Sequence, residues 1–256
     1  MTISTNDWNA TWQIRGKSYH EANARFPHAR ETERDLMIMG LDLRPGLGLL
    51  DVAAGGGYHL EKVHALHGDA IEILAIEPSD TFARHLPAYA RRLLKSSITS
   101  FELPDVSVDR TANLSGLHHT PDNHLFFSEC HRVLKSGGRC GAADVRRGSA
   151  IDAWLNGFVN ENNSEGHHGT FFEEGELAQK MTAAGFQRVG EELKRYTWDF
   201  SSLDEMVLFV RLLFGLDRAN PPAVVRGVRD ILGYTEHPSG AVQVNWELLY
   251  AFGAKA

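Results

Sequence analysis

An acid and a run of small residues stand where an apolar strand would turn into a helix: Leu49-Leu50-Asp51-Val52-Ala53-Ala54-Gly55-Gly56-Gly57-Tyr58. Glycine lacks Cβ, so the backbone N–H groups around Gly55 and Gly57 can approach a ligand closely. The start of the following helix presents unpaired N–H groups and a partial positive charge, which suits a carboxylate or a phosphate. Glu77 lies 77 − 57 = 20 residues beyond the last of these glycines, at the end of a second apolar run. A carboxylate there can accept hydrogen bonds from ribose hydroxyls. Turn and acid together point to a nucleotide-like ligand. The dinucleotide fingerprint G-x-G-x-x-G fails, because its third glycine falls at Leu60 or, counted two residues earlier, its first falls at Ala53.

The elements that must position these groups alternate between strand-like and helix-like patterns from about residue 30 to 144, which predicts an α/β fold with a parallel sheet. Helices are expected over 7–24 and 30–41, then a turn at Pro45-Gly46. Strands are expected at 49–52, 71–76, 98–101, 111–114 and 139–144. A helix should start near Ser79, kinked or interrupted at Pro87, and another should run from Pro121 to Leu134. Thr170-Phe171-Phe172-Glu173 has capping-box spacing for a helix ending at Gly185. Two antiparallel strands close the chain, one within 186–200 and one marked by Val242, Val244, Trp246, Leu248, Tyr250 and Phe252 in strict alternation. Between them, 203–214 and 223–232 read as helices, the first opened by Ser202-x-x-Glu205. They are too short for a second domain and read as an insertion near the substrate pocket.

Composition narrows the function classes. At 256 residues with 43% hydrophobic and 23% charged residues, the chain is long enough for one sizeable core and ordinary for a globular protein. A net charge of −7 argues against non-specific nucleic-acid binding, which needs clustered Lys and Arg. Two cysteines, Cys130 and Cys140, do not make a disulfide framework. The polar N-terminus reads as no signal peptide, and no apolar run reaches the roughly 20 residues of a membrane span. A cytoplasmic protein with neither membrane nor nucleic-acid partner is expected.

The pattern Asp51-x-Ala53-x-Gly55-x-Gly57 resembles the acid-x-Gly-x-Gly-x-Gly motif of class I S-adenosylmethionine (SAM) methyltransferases, with Ala53 for the first glycine. Leu103-Pro104, Asp109, Leu117-His118-His119 and Arg132-Val133-Leu134-Lys135-Ser136-Gly137-Gly138 follow in the order seen in that family's small-molecule, type 11-like members. Pro104 to Asp109 is shorter than usual, and Ser136 replaces a common proline. The resemblance covers about residues 10 to 200. It implies a Rossmann-like, seven-stranded, mostly parallel sheet with an antiparallel last strand and helices on both faces. One methyltransferase domain would span 1–256: a helical cap over 1–45, a SAM-binding core over 46–200, a helical lid insertion over 201–236 and the final strand in 237–256.

By position, the resemblance assigns Asp51, Ala53, Gly55 and Gly57 to the methionine and ribose part of SAM, and Glu77 to the ribose hydroxyls. It places Ser100 and Phe101 at the adenine and Asn113 and Leu114 near the methionine moiety. The acid that relatives carry near Thr99 or Ser100 for the adenine amino group is absent. The implied activity is transfer of a methyl group by in-line SN2 displacement to an O or N atom of a small-molecule acceptor, in a chain that could pair as a homodimer. A SAM-binding protein of the same fold with a non-methylating catalytic or regulatory role is the competing reading. The protein's task in such a transfer is alignment, and a base matters only if the nucleophile sheds a proton. Candidate bases are His118, His119, His167 and Tyr19. His168 shares the polar loop of His167, and Trp12 shares the leading helix of Tyr19. The adjacent histidine pairs should point apart, and neither has the i, i+4 spacing of a helical zinc site, so no metal is expected.

Overall fold

The computed structural model describes residues 16–93 and 96–256; Trp12 and residues 7–15 of the first expected helix lie outside the described residues. Helix α1 (16–25) and α2 (Glu31–Leu41) lead into β1 (Gly48–Val52). The alternation then continues through α3 (Tyr58–His67), β2 (Glu72–Ile76), α4 (Asp80–Ala83), β3 (Arg91–Arg92), β4 (Val108–Leu114), α5 (Asn123–Val133) and β5 (Leu134–Asp144). One irregular helix follows: α6 (Ala150–Asp152), a π-helical stretch (Ala153–Val159) and α7 (Asn160–Asn162). The chain closes with α8 (Glu176–Ala183), β6 (Gln187–Phe200), α9 (Leu203–Phe214), α10 (Pro221–Gly227) running into a second π-helical stretch (Val228–Leu232), β7 (Tyr234–Glu236) and β8 (Val242–Ala254).

The strands form one sheet in the order β3-β2-β1-β4-β5-β8-β6, with short β7 pairing with β8 as an eighth strand. β1 to β5 are mutually parallel and β8 runs antiparallel between β5 and β6. The expected mostly parallel sheet with a reversed last strand is therefore present, with the small hairpin strand β7 in addition.

Side chains alternate across a strand, so a strand buried on both faces must be apolar at every position. Leu49, Ile73 and Ala75 enter one core with Met37, Leu41, Leu60 and Val63, together with Trp154 and the α9 residues Met206, Phe209 and Val210. Leu50, Val52, Leu74 and Ile76 enter the other, under Phe126, Phe127, Cys130 and Val133 of α5 and Leu177 and Met181 of α8. Trp198 of β6 and Trp246 of β8 stack at 3.7 Å, and Phe214 stacks on both. That aromatic stack anchors the 201–236 segment to the sheet. Ser202 caps α9 by accepting the Glu205 N–H, as its spacing predicts. No helix among the described residues is long and apolar enough to cross a membrane.

Several expectations are corrected. The third strand is Arg91–Arg92, paired with Leu74 and Ala75, and not 98–101. In the latter stretch Ser97 and Ser100 bridge each other across a tight turn that buries Ile98 and Phe101 in the core. A two-residue edge strand made of arginines carries no apolar signal to read. Thr170 does not cap a helix, because its N–H donates to the His118 carbonyl and Phe172 pairs alongside Val145 and Arg147; α8 starts only after Gly175 at φ +88°. The helix from Ser79 ends at Ala83, before Pro87. α5 starts at Asn123 and passes into β5 at Leu134, where a glycine-terminated helix was expected.

Candidate cofactor and acceptor site

The chain winds outward from β1 through β2 to β3, then crosses back to β4 on the other side of β1. Open parallel sheets bind ligands at such a switch point, beyond the carboxyl ends of the strands. A cleft sits there. Its lining comprises Ala53 and Gly55 after β1, Glu77 after β2, Leu114, Ser115, Gly116 and His119 after β4, and Tyr19 and Phe82 across the mouth.

The turn after β1 is held from behind. Gly55 donates its N–H to Glu77 Oε2 at 2.7 Å, and Ser79 donates to Oε1 at 2.8 Å. Arg92 grips the Glu77 main-chain carbonyl through Nε and Nη2, at 3.2 and 2.8 Å. Glu77 is 6% exposed. Burial pushes its carboxyl up to about 7, against the opposing pull of those two N–H groups. The acid is thus locked to the turn while keeping lone pairs for hydroxyl donors.

Gly57 sits at φ +90°, where a Cβ would come within 2.5 Å of Pro87 Cδ. Ala53, in place of the first glycine, adopts φ +58° and Ser115 adopts φ +61°. Two non-glycine residues in the left-handed region flank the same cleft, and strain of this kind collects at binding sites. Gly116 is required by contact with Ala53, whose Cβ would lie 2.7 Å from a Cβ at 116.

Of the residues expected at the cofactor, Ala53, Gly55, Glu77 and Leu114 line the cleft, with Tyr19 and His119 from the catalytic set. Asp51 lies beneath the turn, its carboxylate 3.3 Å from His59 Nδ1. Asn113 is buried and works as a brace: its Nδ2 donates to the Val52 carbonyl at 2.8 Å, and its Oδ1 accepts the Gly116 N–H at 3.2 Å. Ser100 and Phe101 do not line the cleft. Phe101 packs edge-on to Phe126 in the core, and its N–H donates to Glu129. Phe82, Ser115 and Gly116 escaped the sequence reading, although Ser-Gly directly after a strand is itself a turn signal.

Tyr19 is fixed by a buried network. Its hydroxyl accepts from Arg30 Nη1 at 3.1 Å, and Arg30 pairs with Glu33 between the rings of Tyr58 and Trp198. Tyr19 and Phe82 meet edge to face at 5.3 Å and fill much of the cleft, leaving about 90 Å³. Small-molecule pockets usually offer about 300–1,000 Å³. The cleft in this conformation is smaller than that range.

At the far end of the cleft, three histidines converge. Leu117–His119 form a single 3-10 turn after β4. His118 Nδ1 lies 2.6 Å from Asp144 Oδ1 at the end of β5, and Asp144 also accepts the N–H groups of Leu117, His118 and Val145. His119 packs on His118 with ring centres 4.0 Å apart. His167 arrives from the loop after α7, its ring centre 5.8 Å from that of His118 and 5.2 Å from that of His119. The expectation that adjacent histidines point apart fails for His118 and His119, because a 3-10 turn lets the two rings pack together. His168 is exposed.

Residues 50–142 match a family model described as a methyltransferase domain. The sheet order and the cleft at its switch point agree with it. Over residues 50–142 this chain is similar to methyltransferase domains. A probable SAM-dependent methyltransferase of Mycobacterium tuberculosis is 28% identical over 92 residues, 35% of this chain and 32% of that protein. The chain thus matches about a third of the length of such curated relatives. A Thermotoga maritima structure described as a SAM-dependent methyltransferase and possible histamine N-methyltransferase superposes with TM-score 0.64 at 17% identity, covering 97% of this chain and 99% of that one. The [4+2]-cyclase SpnF superposes with TM-score 0.55 at 20% identity, covering 88% and 81%. These two structures share the fold.

Proposed function

We propose that this chain is a SAM-dependent methyltransferase acting on an oxygen or nitrogen atom of a small-molecule acceptor. The observation that carries the proposal is convergence on one cleft: the Ala53–Gly57 turn, Glu77 bound to that turn, and the imidazole of His119 opposite. When bound, SAM supplies an electrophilic methyl group that passes in line to the acceptor. Glu77, ionised, accepts the ribose hydroxyls with the lone pairs its N–H partners leave. The backbone at Ala53 and Gly55 borders the methionine side, and Asn113 keeps β1 and the Ser115-Gly116 turn in register. Tyr19 and Phe82 close over the cleft and exclude water.

The acceptor side lies toward His119, the histidine that lines the cleft. Asn163–Glu165 and the α9 residues Leu208, Arg211 and Leu212 line a second cavity of about 450 Å³ with Ser18 of α1. His167 stands two residues beyond that wall. Helix α1 and helix α9 thereby border the acceptor's approach.

The test is radiolabelled methyl transfer from SAM to a library of small hydroxyl- and amine-bearing acceptors. Label in an acceptor with matching S-adenosylhomocysteine is the expected result. SAM binding without transfer to any member would instead support a non-methylating role on this fold, as in the cyclase; absence of SAM binding would sink both.

A further inference from the structure

The geometry points to a divalent transition-metal site formed by His118, His119 and His167, at the inner end of the cleft. One ligand nitrogen from each of the three lies within 4.8 Å of the others. Three imidazoles on one tetrahedral ion, with metal–nitrogen distances of about 2.0–2.1 Å, place their ring centres about 5 Å apart. The observed separations of 4.0, 5.2 and 5.8 Å bracket that value. Small rotations of the rings would bring the set to coordination distance.

The surroundings are those of a ligand set. A metal-binding histidine typically donates its other ring N–H to a carboxylate or carbonyl oxygen, which fixes the tautomer and raises the basicity of the ligating nitrogen. His118 Nδ1 faces Asp144 Oδ1 at 2.6 Å. That carboxylate accepts three backbone N–H groups as well, so it acts as an acceptor and His118 Nδ1 must carry the proton. His167 Nδ1 faces Asn156 Oδ1 at 3.3 Å. The Asn156 amide has one consistent orientation: Nδ2 donates to Asp152 Oδ1 and the Gly169 carbonyl, and Oδ1 accepts the Gly169 N–H at 2.8 Å. His167 Nδ1 is therefore also a donor, and in both residues Nε2 carries the lone pair. The buried Asp144 carboxylate adds compensating negative charge.

The fold also carries His167 to this place deliberately. Asn156 lies in the π-helical stretch Ala153–Val159, a distortion that recurs at functional sites. Asn160, one turn on, accepts the His167 N–H through Oδ1 at 3.0 Å. Gly169 has no Cβ, which would stand 3.0 Å from His118 Cδ2 and 2.6 Å from the Phe171 ring. Three neutral imidazoles select zinc, cobalt, nickel or copper over magnesium and calcium. With three protein ligands, an open position remains for an acceptor heteroatom beside the cleft, in the manner of catalytic zinc.

The inference rests on the imidazole geometry and not on the proposed methyl transfer. The experiment is a cobalt(II) titration of the full, tag-free chain, followed by visible absorption and by metal analysis after dialysis, with S-adenosylhomocysteine binding measured on the same preparation. One cobalt per chain is expected, with d–d bands of low coordination number, displaced by zinc. His119→Ala and His167→Ala should each weaken binding by more than about a hundredfold, and Asn156→Ala by about 10- to 100-fold. His237→Ala, at an exposed histidine paired with Gln243, should leave it unchanged. Thermal melts check that each variant folds, and His119→Gln replaces any that does not. No cobalt uptake, or uptake unaffected by the changes at His119 and His167, overturns the site. Either result with S-adenosylhomocysteine still bound overturns the metal site alone.

Discussion

The two ends of the cleft are built from different lengths of chain. At the cofactor end, the turn after β1 and the acid after β2 are 22 residues apart, and one bond from Gly55 to Glu77 joins them. At the histidine end, four segments contribute two pairs: Asp144 holds His118 across 26 residues, and Asn156 holds His167 across 11. The first end depends on backbone conformation that only small residues tolerate. The second depends on polar side chains held in pairs, Asp144 with His118 and Asn156 with His167. The comparison predicts that backbone substitutions damage the first end and polar substitutions the second, with little crosstalk.

The largest effect should come from Gly57→Ala. A Cβ at φ +90° that meets Pro87 within 2.5 Å cannot be accommodated by a flexible neighbour. A loss of about 3 kcal/mol in denaturant unfolding is expected, with cofactor binding abolished. Asp144→Asn comes next. It leaves two of the four N–H partners without an acceptor and should cost about 2 kcal/mol or more. Affinity for S-adenosylhomocysteine should stay within about threefold, a split that calorimetry on the folded variant measures. A comparable loss of affinity in both variants would break the division between the two ends.

Glu77→Gln should weaken cofactor binding by about 10- to 100-fold, the worth of one charged hydrogen-bonding group, with a smaller loss of stability. The same residue sets a pH dependence. Its carboxyl is raised to about 7 in the folded chain, above the ordinary value of 4.5. The folded state therefore holds more protons than the unfolded one between those values. Stability from this group is fully present below about pH 4.5 and falls by roughly 3 kcal/mol as pH rises through 7. Binding to ribose hydroxyls needs the ionised form, so affinity should rise over the same window and stay flat in the Gln variant. The smallest effect belongs to Ala53→Gly. Relief of the left-handed strain at φ +58° is offset by the added freedom of glycine when unfolded, and a change in melting within about 1 kcal/mol, in either direction, is expected.

This difference also decides what was legible in the sequence. The glycine turn, Glu77 and the alternation of β8 are local signals, and the structure carries each where its spacing places it. The Arg91–Arg92 strand was hidden because pairing at a sheet edge leaves no apolar mark. Phe101 was expected in the cleft because it precedes Leu103-Pro104, but the Ser97–Ser100 turn rotates it into the core. The meeting of His167 with His118 and His119 depends on Asn156 reaching across 13 residues to Gly169. No pattern of spacing encodes that contact.

An ionising Glu77 should hold an adenosyl cofactor at the β1 turn. Calorimetric titration of the full chain with S-adenosylhomocysteine near pH 7, in two buffers of different ionisation heat, tests it most directly. One-to-one binding with release of part of a proton is expected, the release vanishing in Glu77→Gln. Absence of binding, or binding whose proton release survives in Glu77→Gln, would contradict it.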